Sequence, residues 1–513
     1  MTISSVMNKY FLFLLIMLVW GYSHANPVKE IYNVKDYGAK GDGKTIDSKS
    51  INQTIEAASA SGGGTVYFPA GNYLSGSIHL RSNINLFIDQ GAVIIAAPVI
   101  AENGYDQEEQ GANNKYQDAG HSHWHNSLIW GEDLHDFTIS GTGKIWGKDL
   151  YKDWVNNKQS ANKSIALLRC HNVIIKDISI LHGGWFAILA TGTDNFTLDN
   201  VKMDTNRDGV DVDCCKNVHI SNCTVNSPYD DGICLKSSFA LGYARPTENI
   251  TITNCQVSGY DEGTLLDGTF RRTENADYKH YPIGRIKFGT ESNGGFKNIT
   301  ISNCVFDYCR GLALETVDGA LLEDVTITNI TMRDVVNDPL FLRLSARMRG
   351  PEGTPVGSLR RVIISNMMVY NANSGSSCTI SGIPGHDIED ITLSNIHIYF
   401  KGSGTKEQAN REVPENENKY PEPGMFGTSP AYGLFLRHVK NIKLSDIEFA
   451  YVEADQRPAI FLDDVKGADL FHVILQNEPG SSRIRLRNAS DISIEQSKGL
   501  ESRHIDHVEG KEY

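Results

Sequence analysis

Val173-Ile-Ile-Lys-Asp177-Ile, Phe196-Thr-Leu-Asp-Asn200-Val, His219-Ile-Ser-Asn222-Cys and Ile250-Thr-Ile-Thr-Asn254-Cys are four copies of one phrase. It returns as Ile299-Thr-Ile-Ser-Asn303-Cys, Val325-Thr-Ile-Thr-Asn329-Ile, Val362-Ile-Ile-Ser-Asn366-Met, Ile391-Thr-Leu-Ser-Asn395-Ile and Ile442-Lys-Leu-Ser-Asp446-Ile. Successive Asn/Asp positions are 23, 22, 32, 49, 26, 37, 29 and 51 residues apart. The short intervals give the unit, and the long ones are the same unit carrying inserted loops. Each unit is a short β-branched strand with alternating faces, then Asn, then more apolar strand.

Such a unit has too little strand to bury an apolar face alone, so units must stack. The Val/Ile/Thr alternation excludes helical repeats, and the fixed leucine spacing of a leucine-rich repeat is absent. A parallel β-helix remains, an all-β solenoid with one unit per coil. Coils lie about 4.8 Å apart, so residues of the same phase become neighbours and the Asn positions form a ladder.

Outward from the repeat, Asp47-Ser48 is placed to cap a helix over residues 48–60 that covers the open first coil. Residues 26–513 read as one β-helix domain, with a cap and first coils at 26–100 and loop-rich coils at 101–165. Core coils follow at 166–475, and 476–513 form the C-terminal end. His121, His123 and His125 alternate in a polar stretch without a fourth ligand and read as a solvated loop. Residues 403–430 read as a long loop at a cleft edge or at the far end. Lys9 and the apolar run to Trp20 read as an export signal occupying residues 1–25, cleaved after Ala25. Export to the periplasm or the exterior is therefore expected.

The net charge of −14 argues against nucleic-acid binding. After residue 20 no apolar run is long enough to span a membrane. Nine cysteines are an odd count in a chain too large to need a disulfide framework. Cys223, Cys255 and Cys304 share one repeat position and read as stacked interior thiols.

Asn206-Arg-Asp208-Gly and Asp230-Asp231-Gly lie in successive coils. Asp208 follows Asn200 at the same interval at which Asp230 follows Asn222, which predicts one shared phase with Asp231 alongside. Crowded carboxylates repel, and at least one pKa must rise. Inverting glycoside cleavage needs that mixture of one protonated acid and ionised groups that activate water.

Val34-Lys-Asp-Tyr-Gly-Ala-Lys-Gly-Asp-Gly43, Gly62-Gly-Gly-Thr-Val-Tyr-Phe-Pro-Ala-Gly71, Asn206-Arg-Asp208-Gly and Asp230-Asp231 resemble the motifs of the polygalacturonase family, glycoside hydrolase family 28. The resemblance covers most of residues 30–450. It implies a right-handed parallel β-helix and an inverting hydrolase of α-linked galacturonic acid. In that resemblance Asp230 is the general acid, and Asp208 and Asp231 hold the water. No cofactor or metal is implied. The expected partner is a pectic polysaccharide or oligosaccharide, with no nucleic acid and no stable membrane insertion, and the chain is expected to be a monomer.

Where the family carries Gly-His-Gly, this chain has Gly259-Tyr-Asp261-Glu262-Gly263, with no His. Arg285-Ile-Lys287 spells the family's cationic motif, and alternation puts both cations on one face, about 6.6 Å apart. Arg285, Lys287, Lys236, Asp261 and Glu262 are the substrate-binding candidates; Arg343, Arg347 and Arg349 are weaker ones. Glu262 follows Asn254 at the interval that separates Asp208 from Asn200, and is expected in phase with Asp208 and Asp230. Its charge predicts a neutral sugar on one side of the cut bond, a galacturonate held by Arg285 and Lys287 on the other, and poor cleavage of plain polygalacturonate. Relatives that cut rhamnogalacturonan often lack the histidine. Two rival classes are a calcium-dependent pectic lyase on the same fold and a non-catalytic carbohydrate-binding β-helix.

Overall fold

The computed structural model describes residues 30–109, 114–150, 162–273 and 282–513. The expected export signal lies outside the described residues. The described chain forms the expected right-handed parallel β-helix, its 34 strands linked in one hydrogen-bonded system. Through the middle coils each strand pairs with the one three places on. Ile165–Leu168, Phe186–Thr191, Asp208–Asp213, Ile233–Ser237, Ile286–Ser292, Leu312–Thr316 and Leu340–Leu344 therefore stack as one sheet.

Alternation decides what this sheet buries. Val212, Leu235, Phe288, Leu314, Leu342, Ile380, Leu436, Leu462 and Leu486 are register partners in sequence. All point inward and are essentially unexposed. Each such burial contributes about 1.5–3 kcal/mol. The residues between them face outward: Asp211 pairs with Cys234, Cys234 with Lys287, Lys287 with Ala313, and Ala313 with Phe341.

The predicted ladder is present. Asn254 donates to Asn222 at 3.4 Å, Asn303 to Asn254 at 3.2 Å and Asn329 to Asn303 at 3.0 Å. Their φ values of 55°, 56° and 56° explain the residue type, because Asn and Asp tolerate the left-handed region better than other non-glycine residues. A second ladder runs along another corner, through Asn172, Asn195, Asn217, Asn249 and Asn298. Cys223, Cys255 and Cys304 are buried free thiols, as expected.

The helix spans Ser48–Ala60 and buries Ile51, Ile55 and Ala58. Asp47 does not cap it through its side chain. Its two oxygens instead accept from Lys40 N at 2.8 Å and Gly41 N at 2.9 Å, fixing the preceding loop. At the other end Arg503–Glu512 runs antiparallel to Ile484–Glu495 and pairs the last parallel strand. Among the described residues no helix is long and apolar enough to cross a membrane.

Candidate active site

Asp208 opens the strand Asp208–Asp213, and the register Val210–Ile233 places it opposite Asp231. The Gly209 N–H donates to the Asp231 carbonyl at 3.0 Å. The expected in-phase pairing of Asp208 with Asp230 is thus displaced by one residue. Lys202–Asp204 and Thr224–Asn226 are still paired in register, Asp204 with Asn226. Beyond them Ser227-Pro-Tyr-Asp230 is one residue longer than Thr205-Asn-Arg207, which shifts the partner.

Carboxylate oxygens of Asp208 and Asp231 and the Cys234 sulfur all lie within 4.8 Å of one another. Arg207 donates to Asp230 Oδ2 from Nη2 at 2.7 Å and Nε at 3.2 Å, with Nη2 3.9 Å from Asp208 Oδ2. Its guanidinium lies over the Trp185 ring, 4.2 Å from the centroid. Arg207 thus ties the two aspartates across the turn, a link that the motif did not reveal.

The environments of the two facing aspartates are opposite. Burial, then the charges of Asp230 and Asp211, push Asp208 well above the usual carboxylate range. Its Oδ1 has no hydrogen-bond partner among the described residues. Burial also acts to raise Asp231, but Lys287, Arg285 and Lys236 outweigh it and hold that carboxyl well below its ordinary value. Arg285 Nε donates to Asp231 Oδ1 at 2.8 Å, and Lys287 Nζ lies 3.4 Å from Oδ2. One group is therefore built to keep a proton and its neighbour to stay ionised.

Arg285 and Lys287 do share the outward face, but neither is held open for a sugar carboxylate. Lys287 Nζ lies 3.6 Å from Glu315 and 3.2 Å from Thr290 Oγ1, with Tyr420 OH at 3.4 Å. Arg285 pairs with both oxygens of Glu422. Lys236 lies between Glu291 at 3.2 Å and Asp211 at 3.7 Å. Buried Glu315 is pushed up to about 7, chiefly by burial, despite Lys287 and Arg285 beside it.

Asp261 and Glu262 are not in phase with Asp208 and Asp231. The chain leaves the coil after Ser258 and forms turns there, so the count from Asn254 no longer measures a strand. Asp261 accepts from Thr273 N at 3.1 Å, and Glu262 pairs with His182 Nδ1 at 2.6 Å. Both carboxylates tie down their own loop. Arg343 donates to the loop carbonyl of Glu415 at 2.9 Å, Arg347 pairs with Asp318, and Arg349 sits 3.3 Å from Glu291.

The histidine run is not a solvated loop. His121 and His123 are buried, and His121 Nε2 lies 3.0 Å from Asp211 Oδ2 with its ring against Phe186. Trp124, from the same stretch, packs with Ala166, Leu168, Trp185, Phe186 and Leu189 and covers the outward face on one flank of the carboxylates. Residues 403–430 form the expected long loop and cover the other flank: Val413 and Phe426 pack on Ala313, Phe341, Phe435 and Phe461. Tyr420 and Glu422 reach the carboxylates' cationic partners from that loop. Loops carry no period, so only their aromatic and acidic content hinted at these contacts.

Among the described residues, three groups of side chains have donor atoms close enough for an ion: Asp208, Asp231 and Cys234; Asp118, His121 and Glu291; and Asp387, His438 and Asp464. Each already faces a cation. Asp231 has Lys287 and Arg285, Glu291 has Lys236 and Arg349, and Asp387 has Lys466.

Residues 31–180 match the family model "Rhamnogalacturonase A/epimerase, pectate lyase-like", and residues 153–269 match "Right handed beta helix region". A probable polygalacturonase of Vitis vinifera is 25% identical over 386 residues, covering 66% of this chain and 74% of that protein. Alginate lyase 7 of Azotobacter vinelandii is 30% identical over 202 residues, 36% of this chain and only 21% of its own length. The crystal structure of an exopolygalacturonase from Thermotoga maritima superposes with a TM-score of 0.62 at 19% identity, covering 82% of this chain and 92% of that one. Over most of its length the chain is thus similar to polygalacturonases and exopolygalacturonases, and it shares their fold.

Proposed function

We propose that the protein hydrolyses an α-linked galacturonic acid bond in pectic material by inversion, in one displacement. The observation that carries this is the opposed pair, Asp208 raised and Asp231 lowered, with oxygens within 4.8 Å. Asp230, the least buried of the three, sits at the mouth and protonates the leaving oxygen. Arg207 spans Asp230 and Asp208 and holds the two side chains together across the turn. Asp231 and Asp208 orient the attacking water on the opposite face of the sugar.

Both flanks of the outward face are covered by packed aromatic side chains, which leaves room for a chain end more readily than for a continuous chain. We therefore read the action as terminal. The short apolar run from Tyr10 to Trp20, with small residues Ser23 and Ala25 behind it, supports an exported protein. Incubation with a panel of pectic oligosaccharides tests the reading. It predicts saturated products with one new reducing end per cut, released from a terminus and unaffected by chelator. The likeness to alginate lyase 7 motivates the rival: an unsaturated product, lost in chelator and restored by calcium, replaces hydrolysis by elimination.

A further inference from the structure

Glu422 is seated between two arginines, Arg285 and Arg310. Its Oε2 accepts from Arg310 Nη1 at 2.8 Å and from Arg285 Nη1 at 3.3 Å, while its Oε1 accepts from Arg285 Nη2. Planar, forked pairing of this kind is how arginine binds any carboxylate. Arg285 Nε donates to Asp231 Oδ1 at 2.8 Å. Lys287 is surrounded by Asp231, Glu315, Thr290 and Tyr420. A uronate arriving here meets cations already neutralised, with Glu422, Asp231 and Glu315 close by.

Glu422 is also fixed. It stands between Pro421 and Pro423, and the residue before a proline is confined to extended backbone; Glu422 has φ −136° and ψ 145°. Further along the loop, Phe426 is buried against Phe341 and lies beneath the Arg343 guanidinium. Arg411 holds the Phe426 and Thr428 carbonyls at 2.6 and 2.7 Å, and Arg437 holds the Val413 carbonyl at 2.9 Å. A loop clamped at this many points is a wall and not a lid.

We propose that Glu422 is a specificity-determining residue: it permanently fills the anion seat of Arg285 and Arg310, so the sugar unit bound against them is uncharged. This rests on the hydrolase reading for its place in a reaction, but the seat itself is a binding property. The substrate class is then a pectic glycan with a neutral or carboxyl-esterified unit beside the cleaved bond. The expectation from the motif is reversed at this point: Arg285 and Lys287 do not clamp a galacturonate.

The test uses the full chain, Glu422→Ala and the isosteric Glu422→Gln. Binding of free galacturonic acid and of galactose is measured by calorimetric titration, and turnover on free and carboxyl-reduced pectic oligosaccharides is measured separately. The native protein should bind galacturonic acid no better than galactose. Glu422→Ala should bind galacturonic acid at least 10-fold more tightly than the native protein, with the gain lost at high salt and galactose binding unchanged. Glu422→Gln, which keeps the side chain's volume, should shift the same way by less and stands in if the alanine variant does not fold. On cleavable substrates the preference should move toward free uronate through KM. Tight galacturonate binding by the native protein, or unchanged preference in both variants, overturns the proposal. Absence of turnover on every oligosaccharide, with the binding shift intact, overturns only the hydrolase reading.

Discussion

Two clusters of charge lie on the same outward sheet face, and they differ in one respect. Asp463 accepts from Arg437 Nε at 2.8 Å and from Arg487 Nε and Nη2 at 2.7 Å each, and these partners outweigh burial and hold it below its ordinary range. Asp208, several coils away, keeps Oδ1 unpartnered among the described residues and is raised. Both are aspartates on one wall of strands, both beside arginine. A saturated carboxylate is a structural tie, whereas an unsaturated one surrounded by its own kind is stored chemistry.

The largest expected effect separates them by function. Asp231→Asn, Asp208→Asn and Asp230→Asn should each lower turnover by about 10²–10⁴-fold with the fold retained by circular dichroism. Asp463→Asn should leave kcat near native. If Asp463→Asn loses as much turnover, the two clusters are not distinct.

Next comes stability. Asp463→Asn weakens the hydrogen bonds of buried Arg437 and of half-exposed Arg487, which keep Glu415 and Glu412 beside them, and should cost about 1–3 kcal/mol, read as a fall in midpoint on denaturant titration. Asp208→Asn should do the reverse at neutral pH. A carboxyl raised on folding binds more protons folded than unfolded, so its contribution is favourable below the unfolded pKa and is lost as pH rises toward the folded one. Asn removes that penalty. The variant should therefore melt above the native protein at pH 7, with the difference gone below about pH 4. Equal melting at both pH values contradicts the raised state of Asp208.

A smaller effect tests the frame that holds both clusters. Asn303→Ala removes a rung and puts alanine at φ 56°, costing about 1–2 kcal/mol without changing kcat.

The fold was legible because its signals are periodic. The Asn phrase fixed the coil, the ladder and the inward Val/Ile/Leu column, and Asp-Asp-Gly with Asn-Arg-Asp-Gly marked the carboxylates. What was missed lies where period fails. A one-residue lengthening between Asn226 and Asp231 moved the pairing from Asp230 to Asp231. The departure of the chain at Ser258 took Glu262 out of phase and onto His182. Glu422 and His121 arrive at the site from loops 137 and 90 residues away from their partners Arg285 and Asp211, a distance over which no spacing rule operates. Arg285 and Lys287 were legible as two cations on one face, but their partners Asp231, Glu422 and Glu315 were not, because alternation gives a face and not a partner.

The proposed inversion, with Asp208 and Asp231 holding the water and Asp230 as the acid, would leave a stereochemical record. Proton NMR of the first product formed from an α-linked pectic oligosaccharide reads it directly, before mutarotation mixes the anomers. The new reducing end should appear first as the β-anomer. First appearance of the α-anomer, or of an unsaturated non-reducing end, contradicts inversion by these carboxylates.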